Sequence, residues 1–231
     1  MPTNVETVRR VLLLDTCALL DIVRFASHSR PQIHLDAVQR LVGLAENDPA
    51  VLVLALVDVV SNELGHNRAP VIEAERQAVG SIVDRALSVS SLSASLGRQS
   101  LTDASRKPDS FSAWHLDLVT ALDSLVDRIL AVAEVVDVTE DDRNAADQRV
   151  RDRVPPAAQG SSGTYDCQIT EVALRVAASR APSSTLFLSS NTRDFCDGAA
   201  LHPTLQGQFD DAGLVFVKAW GEARGALHDL F

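Results

Sequence analysis

Residues 11–22 read VLLLDTCALLDI, and this stretch decides the fold class. A short apolar run from Val11 to Leu14 ends at Asp15, and a pattern typical of a helix continues to about Phe25. A buried strand of a parallel sheet leads into the following helix in this way. Asp15 is therefore predicted at the carboxyl end of a strand.

The alternation of strand and helix continues along the rest of the chain. Apolar residues between Leu35 and Ala45 recur at helical spacing, and the run VLVLALV at 51–57 predicts the second strand. The other predicted elements are strands at 135–138, 185–190 and 214–220 and helices at 57–64, 140–153 and 165–178, with a short helix at the C-terminus. Alternating elements of this kind favour a three-layer α/β/α fold, in which a central parallel sheet has helices on both faces.

Two long helical patterns, at 71–96 and 111–136, interrupt this alternation. Pro70 and the polar residues just before it are expected to end the preceding helix. The polar segment at 97–110 separates the two patterns. We therefore predict a helical hairpin, inserted at about 71–136, within the α/β domain.

Composition fits one globular domain over residues 1–231. Of these residues 46% are hydrophobic and 23% are charged, which excludes a disordered or fibrous chain. Aromatic residues make up only 4%, so a surface that stacks many nucleic-acid bases is not expected. No apolar run approaches the ~18 residues of a membrane helix, and Asp15 and Asp21 interrupt what would be the core of a signal peptide. We expect a cytoplasmic protein without membrane contact, with its three cysteines reduced.

The charge of the chain excludes a basic nucleic-acid coat. The sequence has 21 Lys and Arg against 31 Asp and Glu, a net charge of −10. An enzyme that acts on nucleic acid would need a divalent cation and a local group of basic residues. Three basic residues lie in the segment between the two long helical patterns, where they form either an exposed loop or a contact with substrate: Arg98, Arg106 and Lys107.

Four acidic residues are predicted at one edge of the sheet. Asp15 ends the first strand, Glu63 follows the second, Asp166 begins the helix before the fourth, and Asp194 follows that strand. Taken singly, each has a structural explanation as a helix cap, a surface charge or a turn residue. Together they favour a cation site, because like charges so close are costly without one. Oxygen ligands suit Mg²⁺ or Mn²⁺ rather than zinc.

Five segments carry a resemblance to a known family, and they occur in that family's order: 12–22 (LLLDTCALLDI), 60–65 (VSNELG), 135–150 (VVDVTEDDRNAADQRV), 164–174 (TYDCQITEVAL) and 185–195 (TLFLSSNTRDF). They resemble the acidic motifs of the PIN-domain nucleases and the strand and helix before the third motif. The resemblance covers the chain apart from the predicted hairpin. It implies a Rossmann-like sandwich that binds Mg²⁺ or Mn²⁺ and cleaves RNA as an endoribonuclease.

The resemblance also implies roles for single residues. The four family acids correspond in order to Asp15, Glu63, Asp166 and Asp194, as metal ligands and catalytic groups. Many members have an acid where this chain has Asn191, which would then orient a phosphate or a metal-bound water. Thr16 and Ser190 would be supporting hydroxyls, and Arg193 is placed to meet a phosphate.

One departure from the family is length. From Glu63 to Asp166 the chain spans 103 positions, which is the difference 166 − 63 and more than compact members use. The chain thus resembles the larger PIN-like proteins more than the small toxin-type ones. An antitoxin-like or other protein partner, a homodimer and a role for Glu171 all remain open at this point. Glu171 lies about 140° around the helix from Asp166, which places it away from the ligands.

Two other functions compete with the nuclease. A PIN-like domain could bind RNA or a protein partner without cleaving, and Asn191 and the acidic surface favour that alternative. A phosphatase of the haloacid dehalogenase type also begins with an Asp after a strand. It needs a second Asp two residues later, where this chain has Cys17.

Overall fold

A computed structural model describes residues 9–27, 31–96, 108–157 and 163–230. Within them a parallel sheet has five strands: β1 (Arg10–Leu14), β2 (Leu52–Val57), β3 (Glu134–Val136), β4 (Thr185–Leu188) and β7 (Leu214–Val217). The order across the sheet is β3-β2-β1-β4-β7. Two short strands, β5 (Cys196–Asp197) and β6 (Ala200–Leu201), form a separate antiparallel pair. The expected parallel α/β sheet is confirmed.

Helices flank the sheet. Those described are α1 (Thr16–Arg24), α2 (Pro31–Asn47), α3 (Asp58–Ser95), α4 (Pro108–Val132), α5 (Glu140–Asp152), α6 (Thr164–Ala178), α7 (Thr192–Phe195), α8 (Pro203–Ala212) and α9 (Trp220–Ala226), and a 3-10 turn follows at His228–Leu230. Right-handed crossovers place α1 to α4 on one face and α5, α6 and α8 on the other. Contacts of α1 with α3 and α4, and of α6 with α5 and α8, agree with this division. No helix in the described ranges is both long and apolar enough to cross a membrane.

The central strands are buried on both faces, which explains why they read as unbroken apolar runs. All six residues of β2 and the last four of β1 are buried. Leu14 lies opposite Leu56 on one side and Leu188 on the other. The residues that follow these three positions therefore meet at one edge of the sheet, the carboxyl edge.

The predicted break at Pro70 is wrong, because α3 runs without interruption from Asp58 to Ser95. A proline inside a helix removes a hydrogen bond and costs about 3 kcal/mol. Residues beyond the proline supply compensating contacts, since Val71 and Ile72 pack against the core and Val79 is 4% exposed. The burial of residues that follow Pro70 thus outweighs the tendency of the proline to end the helix.

The second long helix ends earlier than predicted. α4 ends at Val132, and Glu134–Val136 form the edge strand β3 rather than the last turn of a helix. α3 and α4 pack against each other, and Arg68 of α3 forms ion pairs with Asp123 and Asp127 of α4 at 2.6 and 2.7 Å. The three basic residues of the connecting segment, Arg98, Arg106 and Lys107, lie outside the described residues.

The last strand is three residues shorter than predicted. β7 ends at Val217, and the chain then turns into α9 at Trp220. Trp220 is 2% exposed, and its indole N–H donates to the carbonyl oxygen of Ala18 in α1 over 3.0 Å. This bond holds the start of α9 against α1, beside the carboxyl edge of the sheet.

Candidate active site

Asp15 occupies the centre of the carboxyl edge. Its backbone N–H donates to the carbonyl oxygen of Leu188 over 3.0 Å, so the residue still follows the sheet. Its side chain caps α1 by accepting from the N–H of Thr16 over 2.7 Å. Asp15 is therefore both a helix cap and an acid at the end of a strand, the two interpretations that the sequence allows.

Two neighbouring side chains hold the other carboxylate oxygen of Asp15. The Ser189 hydroxyl donates to Oδ2 over 2.6 Å, and the Cys17 thiol donates to it over 2.9 Å. Asp15 is 3% exposed, and this burial raises the pKa of its carboxyl, while the three hydrogen bonds act in the opposite direction. Burial and the nearby Asp15 charge also raise the pKa of the Cys17 thiol, so Cys17 remains a protonated donor.

Glu63 approaches the edge from the second turn of α3. Its Oε2 accepts a hydrogen bond from the Thr16 hydroxyl over 2.7 Å. The charge of Glu63 also contributes to raising the pKa of Asp15. Thr16, itself 3% exposed, thus links the first and second predicted acids through its backbone and its hydroxyl.

Asp166 joins this group from the first turn of α6. Burial raises its pKa to about 7, and the charges of three further acids act in the same direction: Asp15, Asp194 and Glu63. A hydrogen bond with Asn191 acts in the opposite direction. All four predicted acids therefore lie close enough to interact electrostatically around Asp166.

Asp194 reaches the site through Asn191. The Asn191 Nδ2 donates to Asp194 Oδ2 over 3.0 Å, and the Asn191 backbone N–H donates to the Ser189 hydroxyl over 3.2 Å. Asn191 thereby connects three acids. Its side chain bonds Asp194 and Asp166, and its backbone N–H donates to the Ser189 hydroxyl, which in turn donates to Asp15. The short helix α7 places Asp194 behind Asn191 rather than beside Asp15.

These side chains border a cleft of about 320 Å³, which we call the acidic cleft. Its described lining is Asp15, Thr16, Cys17, Leu20, Asp21, Arg24, Glu63, Asp166, Ser190 and Asn191. Neither Asp194 nor the exposed Arg193 is among these lining residues. Six of the eight residues predicted for the site thus line the cleft.

Arg24 and Asp21 were not recognised from the sequence. Arg24 Nη1 donates to Asp21 Oδ1 over 3.0 Å, and Arg24 is the cation among the lining residues. A signal for both was present, because Cys17, Leu20, Asp21 and Arg24 follow the i, i+3, i+4, i+7 spacing of one helix face. Extending that face from Cys17 would have placed a basic residue at the rim of the cleft.

The donor set of the acidic cleft is suited to a hard cation. Asp15, Glu63 and Asp166 supply carboxylate oxygens, which Mg²⁺ and Mn²⁺ prefer. In the described ranges no three His, Cys, Asp or Glu side chains stand close enough together to form a finished metal-binding group. Carboxylates that repel one another stand apart, so an ion would have to draw these three together.

Glu171 and a histidine that follows Glu63 by three positions are engaged elsewhere. The exposed His66 ring contacts the carbonyl oxygen of Asn62 in its own helix at 2.7 Å and does not line the cleft. Glu171 accepts from Arg149 over 2.6 and 2.8 Å, and their side chains are 18% and 5% exposed. Arg149 also donates to the carbonyl oxygen of Pro155 and to Gln208 Oε1. Glu171 therefore belongs to a structural ion pair on the α5–α6 side.

Replacing Glu171 with Ala should destabilise the fold by about 3–5 kcal/mol, because it leaves the buried Arg149 guanidinium without its charged partner. Urea denaturation of the variant measures this loss. The control is Glu134→Ala, which removes the partner of Arg9 in a pair whose side chains are 55% and 40% exposed. That change should cost no more than about 1 kcal/mol. Equal losses in the two variants would show that Glu171 has no special structural role.

Comparison of the chain with protein families, with curated proteins and with solved structures finds no match. The fold and the acidic cleft therefore rest on the chain's own sequence and geometry.

Proposed function

We propose that the chain is a PIN-like, metal-dependent nuclease, most simply an endoribonuclease that hydrolyses RNA phosphodiester bonds. The observation that carries this proposal is that Asp15, Glu63 and Asp166, from three separate segments, line one cleft at the carboxyl edge of a parallel sheet. Ligands of open α/β sheets bind at this edge. The strand order and the long helices α3 and α4 fit a Rossmann-like PIN sandwich with an inserted hairpin.

Asp15, Glu63 and Asp166 would hold Mg²⁺ or Mn²⁺ in this proposal. Such an ion polarises a phosphate and lowers the pKa of a bound water. The neighbouring groups fix the ligands: the Ser189 hydroxyl and the Cys17 thiol orient Asp15, and the Thr16 hydroxyl orients Glu63. Supporting groups of this kind are usually worth about 10–100-fold in metal affinity or activity.

Substrate groups would approach from the side of α1 and β4. The Asn191 amide already bonds Asp194 and Asp166, so it would have to exchange one of these acids to donate to a phosphate oxygen or a water. Ser190 offers a hydroxyl on the wall of the cleft. Arg24 would exchange its Asp21 partner for the phosphate, because a guanidinium binds a phosphate with two parallel hydrogen bonds. Cleavage of a mixed RNA pool with Mn²⁺, and its loss with a chelator, tests the proposal directly.

Arg24→Ala should weaken RNA binding by about tenfold and reduce the slope of log affinity against log salt by about one charge. Fluorescence anisotropy with a labelled RNA in Ca²⁺ between 50 and 200 mM salt measures both. The matched control is Arg40→Ala, since Arg40 pairs with Asp36 on α2 and does not line the cleft. Equal effects of the two changes would exclude Arg24 from phosphate binding.

The second candidate function is a PIN-like domain that binds RNA or a protein partner without cleavage. One observation favours it: the acidic side chains of the described residues do not form a finished metal-binding group. Calorimetric titration with Mn²⁺ separates the two functions. Binding that Asp15→Asn removes supports the nuclease, and no binding in either protein supports the non-catalytic domain.

A further inference from the structure

A second pocket adjoins the acidic cleft on the other side of α1. Its volume is about 210 Å³, and it shares Asp21 and Ser190 with the cleft, so the two spaces are adjacent. Ala18, Asp21 and Phe25 line it from α1 at i, i+3 and i+7. One face of α1 thus borders the carboxylates, and the adjacent face borders this side pocket.

The floor of the side pocket is apolar and aromatic. Phe25, Leu188 and Trp220 are at most 4% exposed. The His34 ring lies against Phe25, with ring centroids 5.8 Å apart and planes inclined at 29°. Both rings line the pocket, and contact with side-chain rings is a general means of binding a nucleobase.

The packing around His34 keeps this ring in place. A Cβ added at Gly221 would lie 3.6 Å from His34 Nδ1 and 3.4 Å from the side chain of Ile33. Both are ordinary van der Waals distances, so the start of α9 lies directly beside α2 at His34. The pocket is built by four segments, α1, α2, β4 and the turn into α9, rather than by one loop.

Size and charge restrict the ligand further. A volume of about 210 Å³ is below the ~300–1,000 Å³ of sites for whole drug-sized molecules, so the pocket accommodates one ring system. Lys218 also lines it and brings a second positive charge, besides Arg24, close to the carboxylates of the cleft. Its Nζ donates to the carbonyl oxygen of Ala199 over 2.9 Å, which holds the ammonium at the rim.

We propose that this side pocket binds the nucleoside next to the phosphate held in the acidic cleft, with its base against His34 and Phe25. The inference rests on the proposed function, because it takes the ligand of the cleft to be a nucleic-acid phosphate. The pocket would then set which base stands beside the cleaved bond. Lys218 would face the next phosphate of the strand.

The test measures binding without cleavage. Trp220 lines the pocket, and replacing the other tryptophan by Trp114→Phe leaves Trp220 as the sole indole fluorophore. This protein is titrated in Ca²⁺ with four nucleoside 5′-monophosphates and with ribose 5-phosphate, which has the same sugar and phosphate but no base. We expect at least one nucleotide to change Trp220 emission and to bind at least tenfold more tightly than ribose 5-phosphate.

Two variants locate the effect. Ala219→Leu places a larger side chain in the pocket lining, and His34→Ala removes the ring wall, so each should reduce the tenfold preference to less than threefold. The matched control is His228→Ala, since His228 is exposed and lines neither the cleft nor the side pocket. Circular dichroism confirms that each variant is folded.

Two results overturn the inference. Equal affinity for the nucleotides and for ribose 5-phosphate excludes a base in the pocket and needs no variant. A base preference that survives both Ala219→Leu and His34→Ala places the base elsewhere. Either result is separate from the proposed function, whose own test is the cleavage of RNA by the unmodified protein with Mn²⁺.

Discussion

Asp166→Asn should abolish metal-dependent RNA cleavage while leaving the protein folded. Groups that merely support a metal ligand usually contribute about 10–100-fold to metal affinity or activity. Removing a ligand should therefore lower the rate constant of cleavage by more than about 100-fold. The measurement is single-turnover cleavage of a mixed RNA pool in Mn²⁺, with circular dichroism as the check on folding. Asp84→Asn on the exposed surface of α3 is the matched control and should cleave at the unmodified rate.

The same substitution should raise the stability of the metal-free protein at pH 8. Burial and neighbouring carboxylates raise the folded-state pKa of Asp166 from about 3.8 to about 7. A raised carboxyl pKa means that the folded state binds more protons, so stability declines as pH rises between these two values. Asn carries no charge at any pH. The free energy of unfolding should therefore be only slightly larger in the variant than in the unmodified protein at pH 4, and larger by about 1–3 kcal/mol at pH 8.

Thermal denaturation with a chelator at both pH values measures this difference. Subtracting the unmodified protein from the variant cancels the titrating groups that do not interact with Asp166. A variant that is less stable at pH 8 than the unmodified protein would contradict the electrostatic account of the acidic cleft. A variant that cleaves RNA at the unmodified rate would contradict the catalytic assignment of Asp166.

Asp194→Asn tests whether Asp194, which lies behind the residues that line the cleft, is a metal ligand or a group that orients Asn191. Asp194 interacts electrostatically with Asp166, but its hydrogen bond is to Asn191. The sequence motif suggests a ligand at this position, whereas the geometry suggests a group that orients Asn191. Sequence alone could not decide this, because the single turn of α7 determines which of two residues three positions apart faces the cleft.

The strands were predictable because burial on both faces gives them unbroken apolar runs. β1, β2 and β4 lie within one or two residues of their predicted bounds. The failure at Pro70 has the opposite origin. A local rule predicts a helix end there, but the decisive energy comes from contacts of α3 with residues distant in sequence.

The residues of the site divide in the same way, into those that a local pattern predicts and those that depend on contacts distant in sequence. Asp15, Glu63 and Asp166 were predictable because strand ends and helix starts fix which edge they occupy. Arg24 required only that the helical face of α1 be extended. The side pocket had no sequence signal, since α2 and α9 meet there although more than 170 positions separate His34 from Trp220.

Mn²⁺ should stabilise the protein, and by more at pH 8 than at pH 6. A ligand that binds only the folded state adds RT ln(1 + [L]/Kd), which is about 2.7 kcal/mol at a hundredfold excess over Kd. For a chain of this length that corresponds to a Tm increase of about 5–10 °C. With a pKa of about 7, Asp166 is largely protonated at pH 6 and must lose its proton before it can bind the ion.

The ion therefore competes with a proton at Asp166, and its apparent affinity should increase as the pH passes 7. Differential scanning calorimetry with 0 to 5 mM Mn²⁺ at pH 6 and pH 8 measures the effect. Asp15→Asn should lose the Tm increase at both pH values, and Asp84→Asn should keep it. If Mn²⁺ leaves Tm unchanged at pH 8 while RNA still binds, the cleft holds no ion. The non-catalytic domain then becomes the better account of four carboxylates at one edge.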